Sequence, residues 1–231
     1  MPPERMELGS FEEVHNGVPL KYRITTTPPE LLDVVVDHML YHFLPREPMC
    51  SHFKLHEDPP SRQAIEAVWK EVTSQGLALV AIRDGPEPEE ERIVGANITF
   101  LSTKGSEKPE VIKGTKFEKV YDAVVVVAER ANMYEKYGAN EYLSAFGLSV
   151  HTDYHGYKIG QHLLECRKPL CKALGIKFTG TVFTHAASMF LSKRVGFEVL
   201  LTEYFETFEI DGEVIFKGKT GPFEQSGWDF S

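Results

Sequence analysis

The sequence predicts an α/β protein of mixed α+β character, built on one mixed sheet with helices on both faces. Strand-like apolar runs and segments of helical periodicity follow one another in the order β-α-α-β-β-α-β-α-β-α-β-β. A strand, a glycine-bearing turn and the start of a helix also adjoin one another within residues 148–164. Because the chain has 231 residues and no internal repeat, we expect a single domain over residues 1–231.

The first part of the chain is predicted to hold one strand and two helices. Residues 18–26 alternate between apolar and polar side chains, as in a strand. Thr27 is the expected N-cap of a helix that two prolines open and that ends near Pro45. A loop is predicted over 45–60, followed by a helix over 61–75 with one apolar face.

The middle of the chain is predicted to form a hairpin and a helix. Residues 77–82 and 93–100 are typical of antiparallel strands joined by a charged, solvated loop. The polar segment 102–114 is expected to be an exposed loop. Residues 117–137 have helical spacing of apolar residues, although the valines at 124–127 also favour a strand.

The last part of the chain is predicted to alternate between strands and helices. The predicted elements are a strand at 142–150, a helix at 161–174, a strand at 178–183, a helix at 188–195, a strand at 198–210 and a strand at 213–217. Gly175 and Gly196 are expected to end the two helices. Asp211-Gly212 is a strong signal for a hairpin turn.

Charge and cysteine content restrict the function classes. The chain has 34 acidic and 25 basic residues, with a formal charge of −9. Nucleic acid is therefore not the expected partner, because phosphate-backbone binders need a basic face. The three cysteines lack metal-ligand spacing and indicate a reducing compartment. No apolar leader or membrane span is visible, so we expect a cytoplasmic protein without a metal site.

The segment 148–164 (LSVHTDYHGYKIGQHLL) has the layout of an anion site. Gly156 and Gly160 lie between the strand and the helix. The free N–H groups of a first helical turn point at one spot, and the helix dipole favours negative charge there. Phosphate is the commonest biological anion that such a turn holds, so the segment favours nucleotides or nucleotide-tailed cofactors.

Three separated segments resemble the GNAT superfamily of N-acetyltransferases. The phosphate turn of this superfamily spans six residues. Arginine or glutamine is usual at its first position, glycine at its fourth, and glycine or alanine at its sixth. Residues 155–160 (HGYKIG) are similar, with His155 and Lys158 replacing two of the usual residues. Residues 184–198 resemble a later helix that ends in Gly196-Phe197.

The third segment, 43–49 (FLPREPM), resembles the region of insect arylalkylamine N-acetyltransferases that carries the proposed catalytic base. That resemblance assigns the base to Glu47. The chemistry suits a carboxylate, because an amine arrives as ammonium and must lose a proton before it can attack a thioester. Ser188 and Ser192 lie four residues apart, on one helix face. By the same resemblance, one of them protonates the departing thiolate.

The resemblance covers about residues 18–217 and implies the GNAT fold. That fold has one central, mostly antiparallel sheet of about seven strands, here with its core over 18–217 and peripheral termini. It also implies that acetyl-CoA lies between splayed strands, with its pyrophosphate on backbone amides of 157–160 and its thioester polarised by an N–H near 146–148. The residues expected to contact it are Leu148, Val150, His155, Gly156, Tyr157, Lys158, Ile159 and Gly160.

The resemblance implies acetylation of small primary amines by direct attack on acetyl-CoA. The expected substrates are arylalkylamines such as dopamine, serotonin or tyramine, or aliphatic amines and polyamines. A protein or peptide N-acetyltransferase and a catalytically drifted acyl-CoA-binding protein are the alternatives. The long segments 45–60 and 101–116 favour a covered site for small amines. We expect a monomer or a weak dimer, with no nucleic acid or membrane partner.

Overall fold

The computed structural model describes residues 5–230, in which the main sheet has eight strands. The strands in chain order are β1 (Glu7–His15), β2 (Val18–Thr26), β3 (Leu79–Arg83), β4 (Ile93–Thr103), β5 (Glu141–Val150), β6 (Phe178–Phe183), β7 (Glu198–Tyr204), β8 (Glu209–Ile210), β9 (Glu213–Val214) and β10 (Pro222–Asp229). Their order in the main sheet is β1-β2-β3-β4-β5-β6-β10-β7, and β8 pairs with β9 in a separate hairpin. All neighbours are antiparallel except β5 and β6.

Within residues 5–230, eight α-helical segments connect the strands. They are α1 (Leu32–His38), α2 (Pro48–His52), α3 (Pro59–Thr73), α4 (Lys116–Ala131), α5 (Met133–Lys136), α6 (Ile159–Glu165), α7 (Arg167–Leu174) and α8 (Ala186–Val195). A single π-helical turn, Met39–Phe43, extends α1. Among the described residues, no helix has both the length and the apolar character needed to cross a membrane.

The sheet buries apolar side chains on both faces, as the sequence predicts. Strand β3 shows the alternation: Val80 and Ile82 belong to the core beneath α1, α3 and α4. Leu79 and Ala81 belong to the opposite core, which α6 and α7 cover. Because successive strand residues point to opposite faces, a strand buried on both sides is apolar throughout. The mixed, mostly antiparallel sheet is confirmed, with eight strands instead of about seven.

Strands β1 and β10 are absent from the sequence-based prediction. Strand β10 lies inside the sheet between β6 and β7, where Phe223 is 0% exposed. Its sequence, PFEQSGWD, has few residues that favour strands, so pairing on both edges determines its place. The core therefore extends beyond 18–217. For β1 a signal existed, because Asn16-Gly17 is a typical hairpin turn into β2.

Several predicted boundaries are also wrong. Thr27 does not cap a helix, since its hydroxyl donates to the carbonyl oxygen of Ala78 at 3.0 Å. The predicted loop 45–60 contains α2 and the short 3-10 helix Leu55–Glu57. Left-handed Asn132 interrupts the helix predicted over 117–137. The helix predicted over 161–174 is broken at Cys166, between α6 and α7. The strand predicted over 198–210 ends at Tyr204.

We predict that the C-terminal strand is needed for stability. Phe223 packs against three other phenylalanine rings at 4.7–6.3 Å between centroids. Phe223→Ala should therefore lower the free energy of unfolding by about 3–5 kcal/mol in urea denaturation. Phe190, which is 63% exposed, is the matched control, and its change to alanine should cost less than about 0.5 kcal/mol. Equal effects of the two changes would contradict an integral role for β10.

Candidate active site

The main cavity lies where β5 and β6 separate. These parallel neighbours share one register pair, Leu143 with Thr179. At this pair and beyond it, threonine side chains bridge the two strands: the hydroxyls of Thr179 and Thr181 donate to the carbonyl oxygens of Leu143 and Ala145, both at 2.7 Å. A cavity of about 530 Å³ opens at this fork and reaches both faces of the sheet. The fork therefore offers main-chain and apolar surface for an elongated ligand.

A β-bulge in β5 forms one wall of the cavity. Asn97 of β4 pairs with Leu148 and Thr99 with Ala145, so two residues of β5 oppose one of β4. The extra residue is Gly147, whose φ is 122°. This φ is strained for any other residue, and an added Cβ atom would also lie 2.6 Å from the methyl group of Met39, so glycine is favoured here. The Asn97 amide donates to the carbonyl oxygen of Gly147 at 2.7 Å and holds the bulge.

The turn before α6 lies at the cavity edge. Lys158 has φ 55° and ψ 13°, the left-handed conformation that a glycine adopts without strain. Its ammonium group pairs with the Glu13 carboxylate at 2.8 Å. Gly156 packs so closely on His15 that an added Cβ would lie 2.4 Å from the imidazole. The lysine thus keeps the backbone shape of the turn while its charge is directed to β1.

The structure brings most of the predicted site residues to one cavity. The residues that line it are Glu47, Leu148, Val150, His155, Gly156, Lys158, Ile159, Gly160 and Ser188. The side chains of Tyr157 and Ser192 do not line it. The backbone carbonyl of Tyr157 accepts a hydrogen bond from the Tyr22 hydroxyl at 2.9 Å. Ser192 is fully buried and donates to the carbonyl oxygen of Met189 at 2.9 Å. Of the two serines, only Ser188 reaches the cavity.

Glu47 is held by a hydrogen bond at each carboxylate oxygen. It is the N-cap of α2, and its Oε2 accepts from the Cys50 backbone N–H at 2.6 Å. Its Oε1 accepts from the hydroxyl of Thr184, which directly follows β6. These contacts fix the carboxylate on the cavity wall. Sequence reasoning missed Thr184, because no local pattern pairs residues 137 positions apart.

A cluster of three histidines, of which His42 lines the cavity, lies beside it. The ring of His42 lies 4.7 Å from that of His38 and 4.2 Å from that of His151, between centroids. Burial and, to a smaller extent, the neighbouring histidines lower the pKa of His38 to about 3 and that of His42 to about 4. Near neutral pH His38 and His42 are therefore uncharged. No group of three potential metal ligands occurs within residues 5–230.

Comparison with known proteins identifies the fold. No family model matches the sequence, and no curated protein sequence matches it. Among solved structures, arylalkylamine N-acetyltransferase 7 of the mosquito Aedes aegypti is similar, with a TM-score of 0.88 at 26% identity, over 100% of this chain and 97% of that one. Arylalkylamine N-acetyltransferase 2 of Aedes aegypti has a TM-score of 0.77 at 16% identity, over 91% and 99% of the two chains.

A polyamine N-acetyltransferase of Drosophila melanogaster has a TM-score of 0.74 at 15% identity, over 90% and 99% of the two chains. The chain therefore has the fold of the GNAT superfamily. Within that superfamily, the resemblance to the insect arylalkylamine N-acetyltransferases is confirmed.

We predict that the buried histidines make stability depend on pH. Unfolded histidines take up a proton near pH 6.5, whereas folded His38 does so only near pH 3. Each buried histidine therefore contributes its full stabilisation above about pH 6.5, and this contribution falls by up to about 1.4 kcal/mol per pH unit and per histidine as the pH drops toward 4. In urea denaturation at several pH values, His38→Gln should reduce this slope, and His38→Gln with His42→Gln should reduce it further. Identical slopes in all three proteins would contradict the prediction.

Proposed function

We propose that this protein is an acetyl-CoA-dependent N-acetyltransferase of small primary amines. The observation that carries the proposal is the position of Glu47, whose fixed carboxylate lines the same cavity as the strand fork and the turn before α6. The similar solved structures, which include arylalkylamine and polyamine N-acetyltransferases, support the same reaction class. We also propose that the chain is one domain, since β1 and β10 join one sheet.

The cavity fits an elongated, phosphate-bearing donor. Main-chain atoms of the turn at 157–160 would hold the pyrophosphate, and the start of α6 would add its dipole. Close packing of Gly156 and the left-handed conformation of Lys158 shape this turn, and both residues line the cavity. Leu148 and Val150 on the open side of the fork would contact the pantetheine arm. The role of acetyl-CoA is to supply the acetyl thioester.

Glu47 is the proposed general base. A carboxylate that already accepts two hydrogen bonds still has lone pairs for the proton of a substrate ammonium group. Loss of that proton gives the amine nitrogen the lone pair with which it attacks the thioester carbon. A backbone N–H of the bulge near Gly147 would polarise the thioester oxygen. Ser188 is the proposed proton donor to the leaving thiolate, because its side chain lines the cavity.

The lining near Glu47 favours a small organic amine. Phenylalanines and aliphatic side chains from several elements form this part of the cavity: Phe43, Met49, Ile65, Phe117, Val120, Val124 and Phe146. An apolar chamber suits the carbon skeleton of an arylalkylamine or an aliphatic amine, with its ammonium directed to Glu47. We therefore prefer small amines to peptides as substrates.

We predict that Glu47→Gln lowers kcat/KM by about 10²-fold or more, because glutamine keeps the size and the cap but cannot accept the proton. The assay is CoA release with acetyl-CoA and a panel of tyramine, serotonin and agmatine, with the N-acetyl product confirmed by mass spectrometry. Thr184→Val should reduce kcat about tenfold, since one of the hydrogen bonds that position Glu47 is lost.

The matched control is Glu57→Gln, a change at an exposed carboxylate outside the cavity, which should retain full activity. Full activity in Glu47→Gln would exclude Glu47 as the base. CoA binding without turnover of any amine would instead support a non-catalytic acyl-CoA-binding protein.

We predict that Gly160→Val weakens CoA binding in isothermal titration calorimetry by about tenfold or more. A Cβ at this position makes only ordinary contacts, at 3.4 Å to Leu191 and 3.5 Å to Val150. Gly160→Ala should therefore bind CoA nearly as the wild type does. The two γ-methyl groups of valine extend beyond this space into the cavity that Gly160 lines. If both variants bind CoA equally well, the phosphates lie elsewhere.

A further inference from the structure

Arg167 is a cation buried in the wall of the main cavity. It begins α7, is 1% exposed and lines the cavity opened by the strand fork. Its Nε donates to the Oδ1 of Asn97 at 2.8 Å, and its Nη1 donates to the hydroxyl of Thr179 at 3.4 Å. The ring of Phe197 lies 5.6 Å from the guanidinium carbon. All these partners are neutral.

The guanidinium has no counter-ion in the part of the chain described. Within residues 5–230, no carboxylate oxygen lies within 4.0 Å of it. The nearby Cys171 thiol is uncharged at neutral pH, since burial raises its pKa to about 12. Burial also lowers the pKa of Arg167, to about 9, which leaves it charged at pH 7. A buried charge without a partner is costly, so an anion is expected to complete the site.

Hydrogen bonds join Arg167 to the β5 bulge and to the apex of the strand fork. Asn97 accepts from Arg167 and donates to the carbonyl oxygen of Gly147, so one side chain joins the cation to the β5 bulge. Thr179, its other partner, lies at the last paired position before the fork opens. The guanidinium therefore lies between the apex of the fork and the bulge, whose backbone N–H would polarise the thioester in the proposed function.

We infer that Arg167 is a catalytic residue that stabilises the negative charge formed during acyl transfer. The inference rests on the proposed function. Glu47 first takes one proton from the substrate ammonium group. The lone pair that this leaves on nitrogen forms the C–N bond, and the carbonyl π electrons move to oxygen. The carbonyl then re-forms as the C–S electron pair leaves on sulfur, the nitrogen loses its second proton to solvent, and the thiolate takes a proton from Ser188, which regains one from solvent. A fixed cation near these atoms lowers the energy of both anions.

Kinetics of charge-removing variants test this role. Arg167→Met should lower kcat with acetyl-CoA by about 10²-fold or more, with a smaller change in KM for the amine. Arg167→Lys keeps the charge and should fall between the methionine variant and the wild type. Arg167→Gln replaces the methionine variant if the latter does not fold. Phe197→Leu, which removes a ring contact but no charge, should keep the wild-type kcat.

A titration of bound CoA separates an electrostatic role from a packing role. In the wild type, the nearby cation should make the CoA thiol about tenfold or more stronger as an acid than in Arg167→Met. Thiolate absorbance is measured against the same protein with desulfo-CoA. The cysteines of the protein do not interfere, since burial raises the pKa of Cys166 and Cys171 to about 12 and that of Cys50 well above its usual range.

An unchanged kcat, or an unchanged thiol acidity, in Arg167→Met overturns the inference. A carboxylate on the acyl group is the other source of an anion, and succinyl-CoA tests it. If the wild type prefers succinyl-CoA and Arg167→Met loses only that preference, the residue binds a carboxylate and the inference is wrong. If no amine is acetylated, the proposed function fails, and the thiol titration alone decides about Arg167.

Discussion

The divergence of β5 from β6 is the constraint on which the rest of the structure depends. Parallel neighbours normally share an even ladder of backbone hydrogen bonds, but here the ladder has one register pair. The hydroxyls of Thr179 and Thr181 bridge the strands instead, so carbonyl oxygens that would otherwise be buried without partners are satisfied. Threonine both favours strands and supplies the donor. The cavity therefore opens between strands that two threonine hydroxyls still join.

Contacts between distant parts of the chain hold the elements that surround the fork. At the open end, Thr184 leaves β6 and binds Glu47, so the N-cap of α2 is tied to the strand that forms the cavity. Along β5, Asn97 and Gly147 hold the bulge against β4. The turn before α6 is supported by β1, through Glu13 and Lys158. A small displacement of any of these elements would change the cavity.

Local signals predicted much of the fold, whereas partners distant in sequence could not be predicted. The strand, turn and helix of 148–164 were found because their pattern is contiguous, and Gly175 ends its helix as expected. Strand β10 was missed because its buried Gln225 and Ser226 are polar, and only pairing with β6 and β7 explains their burial. Ser192 shares a helix face with Ser188, but that spacing could not reveal which serine the core covers.

Glu47 and Arg167 lie on elements that pack on opposite faces of the sheet. Glu47 belongs to the elements packed on the face of α1, α3 and α4, where Cys50 of the same helix joins the core. Arg167 lies on α7, which covers the opposite face. If these groups met, they would form an ion pair, and neither would be available to a reacting molecule. The sheet keeps them apart, and the fork gives both access to one cavity. In the proposed reaction the proton leaves on one side while negative charge forms near the other.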